Sequence, residues 1–191
     1  MAYTSLGFLL FLGIVLVVYY LVPKRYQWAV LLTASYIFYL FSGVAQVAFI
    51  LGTTAVTYFS ALAMQKKRNI YKKKLAAIGP EITRDQKQEL KKASANEIRK
   101  VQFASVLAVL LVLAVVKYLN FAIENVNTLF SLFKYDASLP LVNIIVPLGI
   151  SFYSFQAMGY LIDIGRGRYE AETHFGRLAL FLSLKAGLSL A

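Results

Sequence analysis

Asp163 and Arg166 stand three residues apart at the edge of a long apolar run, and His174 follows in a short charged stretch. On a helix that spacing places Asp163 and Arg166 on one face and permits an ion pair. A carboxylate at membrane depth marks a pocket or tunnel residue, whereas one at a helix mouth fixes the helix end at much lower cost. Both readings of Asp163 stay open, and the helix-end pair asks less of the fold. His174 is the only histidine, so no histidine pair or His-based metal site can be built. As a general base it would need a positioned partner, and its neighbours supply none; a surface histidine is the simpler reading. Cysteine is absent, which excludes disulfides, thiolate nucleophiles and Cys-ligated metal. No glycine-rich phosphate loop, serine-hydrolase elbow or carboxylate dyad is found.

The element that must position Asp163 runs from about Leu141 to Ile164. It is long enough to cross a bilayer, yet it holds Pro147, Gly149, Ser151, Ser154, Gln156 and Gly159. Such residues are tolerated at membrane depth only where protein or a water-filled cavity satisfies them. Pro147 has no N–H to donate to Asn143, so the helix kinks or starts there. Read as a helix, Gly149, Phe152, Gln156, Gly159 and Asp163 share one face, where small residues admit a neighbouring helix and polar ones seek a partner. This span is expected inside a bundle, with Ser151, Tyr153, Gln156 and Asp163 lining a wall.

Composition agrees. Of 191 residues, 59% are hydrophobic and 15% charged, against about half and a quarter in soluble domains. The expectation is an all-α, polytopic bundle of about five membrane helices. The first three occupy 1–64 (about Ser5–Val22, Tyr26–Phe41 and Val44–Met64), the second being short. Thr53, Thr54, Thr57 and Ser60 on the third can bond back to their own helix or across to a neighbour. No charged region precedes the first apolar run and no small-residue cleavage site follows it, so it is read as a retained helix.

Twelve of the twenty Lys and Arg residues lie between Lys66 and Lys100. Residues 65–100 form a basic excursion, most simply a topological signal rather than a nucleic-acid or lipid site. Thr83 and Gln86 fit a capping box that restarts a helix there. Residues 101–170 carry the fourth span (about Val101–Leu119) and the fifth. Between them Leu119, Ile123, Val126, Phe130 and Phe133 oppose Lys117, Asn120, Glu124 and Asn127, which predicts an amphipathic helix in the membrane interface. With the N-terminus outside, every basic loop falls inside. In the tail, 171–191, the apolar run is too short to span and reads as the start of an uncompleted element.

The run Pro147-Leu148-Gly149-Ile150-Ser151-Phe152-Tyr153-Ser154-Phe155-Gln156, continuing through Tyr160-Leu161-Ile162-Asp163 to Arg166-Gly167, resembles the membrane-bound O-acyltransferase family, in its alginate O-acetyltransferase and D-alanyl-transfer branch. Leu21-Val22-Pro23-Lys24-Arg25 with Ala34-Ser35-Tyr36-Ile37-Phe38-Tyr39, and Lys117-Tyr118-Leu119-Asn120-Phe121 with Glu124-Asn125, are similar to the same branch. The resemblance reaches to about Ser183. It implies a multi-pass enzyme of the cell inner membrane whose helices surround a tunnel. It further implies a cytoplasmic thioester donor (acyl-CoA or an acyl carrier), no bound cofactor, an exported polysaccharide or envelope acceptor, and an extracytoplasmic acetyltransferase partner. The family's signature histidine lies well downstream of these segments. After Phe181-Leu182-Ser183, where relatives continue to a Phe-Pro-Gln and Gly-Pro stretch, this sequence departs, so His174 does not take that role. The chain is expected to be an amino-terminal portion, inactive alone, through truncation, frameshift or a split gene. A non-catalytic subunit or transporter-like half-bundle, packing on a partner chain, is the alternative.

Overall fold

A computed structural model describes residues 6–78, 84–133, 139–142 and 149–188. Six helices follow in order among the described residues: α1 (Leu6–Leu21), α2 (Gln27–Ser42), α3 (Val44–Ile78), α4 (Arg84–Leu132), α5 (Ile150–Arg166) and α6 (Phe175–Leu188). The all-helical expectation holds. The apolar windows of α3 and α4 are only 33% and 17% buried in the chain. The core helix of a soluble protein would hide most of that surface; here it points outward, as lipid-facing helices do.

Helices α3, α4, α5 and α6 form the centre. α3 packs on α2, α4, α5 and α6, and α2 packs on α6, while among the described helices α1 touches only α2. One cluster joins Ala61, Met64, Val109, Ala157, Leu161, Ile164, Leu178 and Leu182. A second, towards the α2–α3 turn, joins Tyr39, Ile50, Leu113, Val116, Ile150 and Tyr153. That turn is a single residue, Gly43, whose φ of 131° admits glycine readily. Its N–H donates to the carbonyls of Tyr39 and Leu40. Thr54 and Thr57 return their hydroxyl hydrogens to the carbonyls of Ile50 and Thr53, each at 2.7 Å, the back-bonding expected of hydroxyls in a membrane helix.

Three differences from the sequence reading stand out. Helix α3 does not stop near Met64 but continues to Ile78; α4 begins at Arg84, where the sequence places a restart, and Thr83 itself lies outside the described residues. The predicted interfacial helix is not separate, because residues 120–132 continue α4 unbroken. In the fifth span the described helix begins at Ile150, after Gly149 in a left-handed conformation at φ 72°. Pro147 lies outside the described residues, and Leu139–Val142 are non-helical.

The polar stripe of α4 accounts for the non-helical stretch. Asn127 donates to the carbonyl of Leu139 at 2.9 Å and accepts its N–H at 2.7 Å. Asn120 treats Val142 the same way, at 2.8 and 3.1 Å. Seven helical residues rise about 10.5 Å, and three extended ones span about 10 Å, so the two asparagines match the segment in length. Non-helical backbone beside a membrane span needs such partners. The tail is likewise a member of the bundle rather than an unfinished element: Leu178, Ala179, Leu182 and Ser183 of α6 are buried.

Candidate functional site

The buried face of α5 comprises Ile150, Tyr153, Ser154, Ala157, Met158, Leu161 and Ile164. The Gly149–Asp163 face expected to enter the bundle is rotated away from it. Phe152 is 50% exposed, Gly159 has nothing within 4 Å of a would-be Cβ, and Gln156 reaches sideways to α6. Volume explains the rotation: Tyr153, Met158 and Leu161 make far more van der Waals contact with the neighbouring helices than Gly159 could.

Of the proposed wall residues, Tyr153 lies deepest. It is fully buried among α2, α3 and α4 side chains, and its hydroxyl finds no hydrogen-bond partner among the described residues. The Tyr36 hydroxyl is also buried and faces the Thr54 side chain of α3. Tyr39 stands in the same cluster and donates to the Ser183 carbonyl of α6 at 3.4 Å. With Thr54 on α3, these side chains make the packed interior between α2, α3 and α5 rich in hydroxyls. Such groups can donate to and accept from an oxygen-bearing ligand or water; alone they offer no general base. Ser151 is half-buried at the α5 entrance. Gln156 donates to the Phe181 carbonyl at 2.8 Å, which ties α5 to α6.

At the opposite end of α5 the carboxylate is paired, but not with the expected partner. Asp163 Oδ1 meets Arg168 Nη1 at 3.1 Å, whereas the sequence spacing pointed to Arg166. The chain reverses through Gly167 at φ 77°. Its N–H donates to Ile164, and that of Arg168 donates to Asp163. This paired closure is a Schellman cap, and it folds Arg168 back over Asp163 while Arg166 stays exposed. Arg68 of α3 donates from Nη2 to the Ile164 carbonyl at 2.6 Å, satisfying the negative end of α5. Arg68 was hidden in the sequence by its place within a basic run. His174 is exposed at the entry to α6, where the Glu172 carboxylate accepts its backbone N–H at 3.0 Å. No group of three acidic or histidine side chains suited to a metal exists among the described residues.

Comparison with known proteins gives a consistent kinship. The probable alginate O-acetylase AlgI of Azotobacter vinelandii is 30% identical over 185 residues, 96% of this chain and 32% of the relative. Those of Pseudomonas putida and Pseudomonas aeruginosa are 31% and 30% identical over the same share of the chain, covering 33% and 31% of their own lengths. The chain therefore spans about a third of the relatives it matches. No family model and no solved structure matches it. The resemblance to the alginate O-acetylase branch of the membrane-bound O-acyltransferases is borne out.

Proposed function

Taking kinship with the alginate O-acetylases as the premise, we propose that this chain builds the amino-terminal wall of an inner-membrane O-acyltransferase. The enzyme breaks the C–S bond of an acetyl thioester, acyl-CoA or acyl-carrier, on the cytoplasmic side. It forms a C–O ester on a hydroxyl of an exported polysaccharide, releasing the thiol. The observation that carries this reading is similarity across 96% of the chain to proteins named for alginate acetylation. A lipid-facing bundle with a hydroxyl-rich interior at Tyr36, Tyr39, Thr54 and Tyr153 supports it. The group that performs the transfer is assigned to residues matching the remaining two thirds of the relatives, and the wall contributes orientation and exclusion of water. An extracytoplasmic acetyltransferase is the proposed protein partner.

The orientation that goes with this reading places the N-terminus outside and the basic 65–100 segment inside. Protease added outside intact cells then leaves that segment uncut; cleavage there would overturn the orientation. The wall assignment is tested in a full-length relative, by alanine at the positions aligned with Gln156 and Asp163. Lost or slowed acetyl transfer is expected, and unchanged transfer refutes the assignment. No observation favours the non-catalytic subunit.

A further inference from the structure

Beyond Met64 and before Val101, α3 and α4 leave the apolar zone together as an antiparallel pair. Lys67 Nζ and Glu97 Oε2 set the register at 2.8 Å. The extension from Gln65 to Ile78 is 14 helical residues, about 21 Å, and it is continuous with the span below. The result is an arm standing out of the bundle. Twelve basic and four acidic residues between 65 and 100 give it eight of the chain's eleven net positive charges.

The position of those charges carries the argument. Lys72, Lys73, Lys74, Lys87, Lys91 and Lys92 are all exposed and lie past the Lys67–Glu97 pair. None joins an ion pair among the described residues. Orientation in the membrane is already served by the basic residues nearest the spans, Lys66 to Arg68 and Arg99 to Lys100. Between the two helices, at the same height as the outer lysines, runs a shallow groove of about 260 Å³. It is lined by Ile70, Tyr71 and Leu90, with Lys74 and the Lys67–Glu97 pair beside them. Ile70 is 45% exposed. An apolar lining with charged residues beside it is the composition of a protein-binding patch. Anionic headgroups supply no apolar contact at that height, and their field falls away within about 8–10 Å.

We propose that the arm is a docking site for the acidic face of a soluble protein, which lays an apolar residue of a helix into the Ile70–Leu90 groove. Carboxylates flanking that residue meet Lys72, Lys73, Lys74 and Lys91. The proposal stands independently of acyl transfer.

The test uses the whole chain in nanodiscs of neutral phosphatidylcholine. The probe is a synthetic amphipathic helical peptide, with glutamates flanking a leucine stripe. A scrambled peptide of equal charge without the stripe is the control. Binding by the striped peptide is expected, on the order of tenfold weaker for the K72S/K73S/K74S variant. It should also weaken for Ile70→Ser, which leaves the charge untouched. Equal binding of both peptides, or binding unaffected by Ile70→Ser, would refute the groove. A response only to vesicles containing phosphatidylglycerol would assign the arm to lipid instead and overturn the proposal.

Discussion

Replacing Asn127 with leucine removes both hydrogen bonds that hold Leu139 to α4, at 2.7 and 2.9 Å, while leaving the helix and its volume nearly intact. Each such bond contributes about 0.5–1.5 kcal/mol net. Asn127 is half-exposed, so water softens the loss and the lower part of the range applies. The pair then amounts to about 1–2 kcal/mol, or a roughly five- to thirtyfold change in the local opening equilibrium. The assay is amide hydrogen exchange on the chain in detergent micelles, followed at Leu139 and Val142. Leu139 should exchange faster by that factor. Val142, held separately by Asn120 at 2.8 and 3.1 Å, should change less, and Asn120→Leu should reverse the pattern. Unchanged exchange at Leu139 would show that the asparagine contacts do not hold the segment.

Gly176 lies against the Trp28 ring, where a Cβ would come within 2.7 Å of a ring carbon. Gly176→Ala should lower stability by about 1–3 kcal/mol through overpacking of α2 on α6, read as the thermal midpoint in detergent; an unchanged midpoint would mean that the helices separate freely. Tyr153→Phe removes a buried hydroxyl that has no partner among the described residues, so the thermal midpoint should hold or rise. A loss beyond about 1 kcal/mol would show that the hydroxyl is satisfied by bound water or ligand. Glu97 is exposed, and hydrogen bonds from Lys67 and Lys100 hold its carboxyl below the usual range. Its pairing therefore steadies the arm above the ordinary carboxylate pKa, and that contribution disappears as pH falls through the lowered folded value. With the intrinsic slowing of amide exchange in acid divided out, protection of the arm amides should fall in acid for the native chain, with a smaller pH response in Glu97→Gln; identical profiles would refute the pairing.

Helix existence was legible in the sequence because apolar runs of spanning length leave few other conformations. The back-bonded threonines were legible for a similarly local reason. Apart from the pairing of Asp163, which a local cap decides, the misreadings depended on contacts between distant segments. Asn120 and Asn127 look like the wet side of an interfacial helix until Leu139–Val142 lies against them. Asp163 and Arg166 have helical pair spacing, but the cap at Gly167 takes the chain out of the helix and delivers Arg168 instead. The polar side of α5 was expected inside, yet the larger opposite side claimed the interior. Tyr36 and Tyr39 gave no signal of a shared site, because they converge with Tyr153 only once α2 and α5 both pack on the centre.

The central claim is that this bundle serves acyl transfer and that the transferring group lies outside it. Incorporation of labelled acetyl from acetyl-CoA into polysaccharide measures this directly. Membranes holding this chain alone are compared with membranes holding it continued through the coding sequence downstream. The account predicts incorporation by the continued form and none by this chain alone. Transfer by this chain alone would contradict it, and would make His174 and Asp163 the first residues to replace.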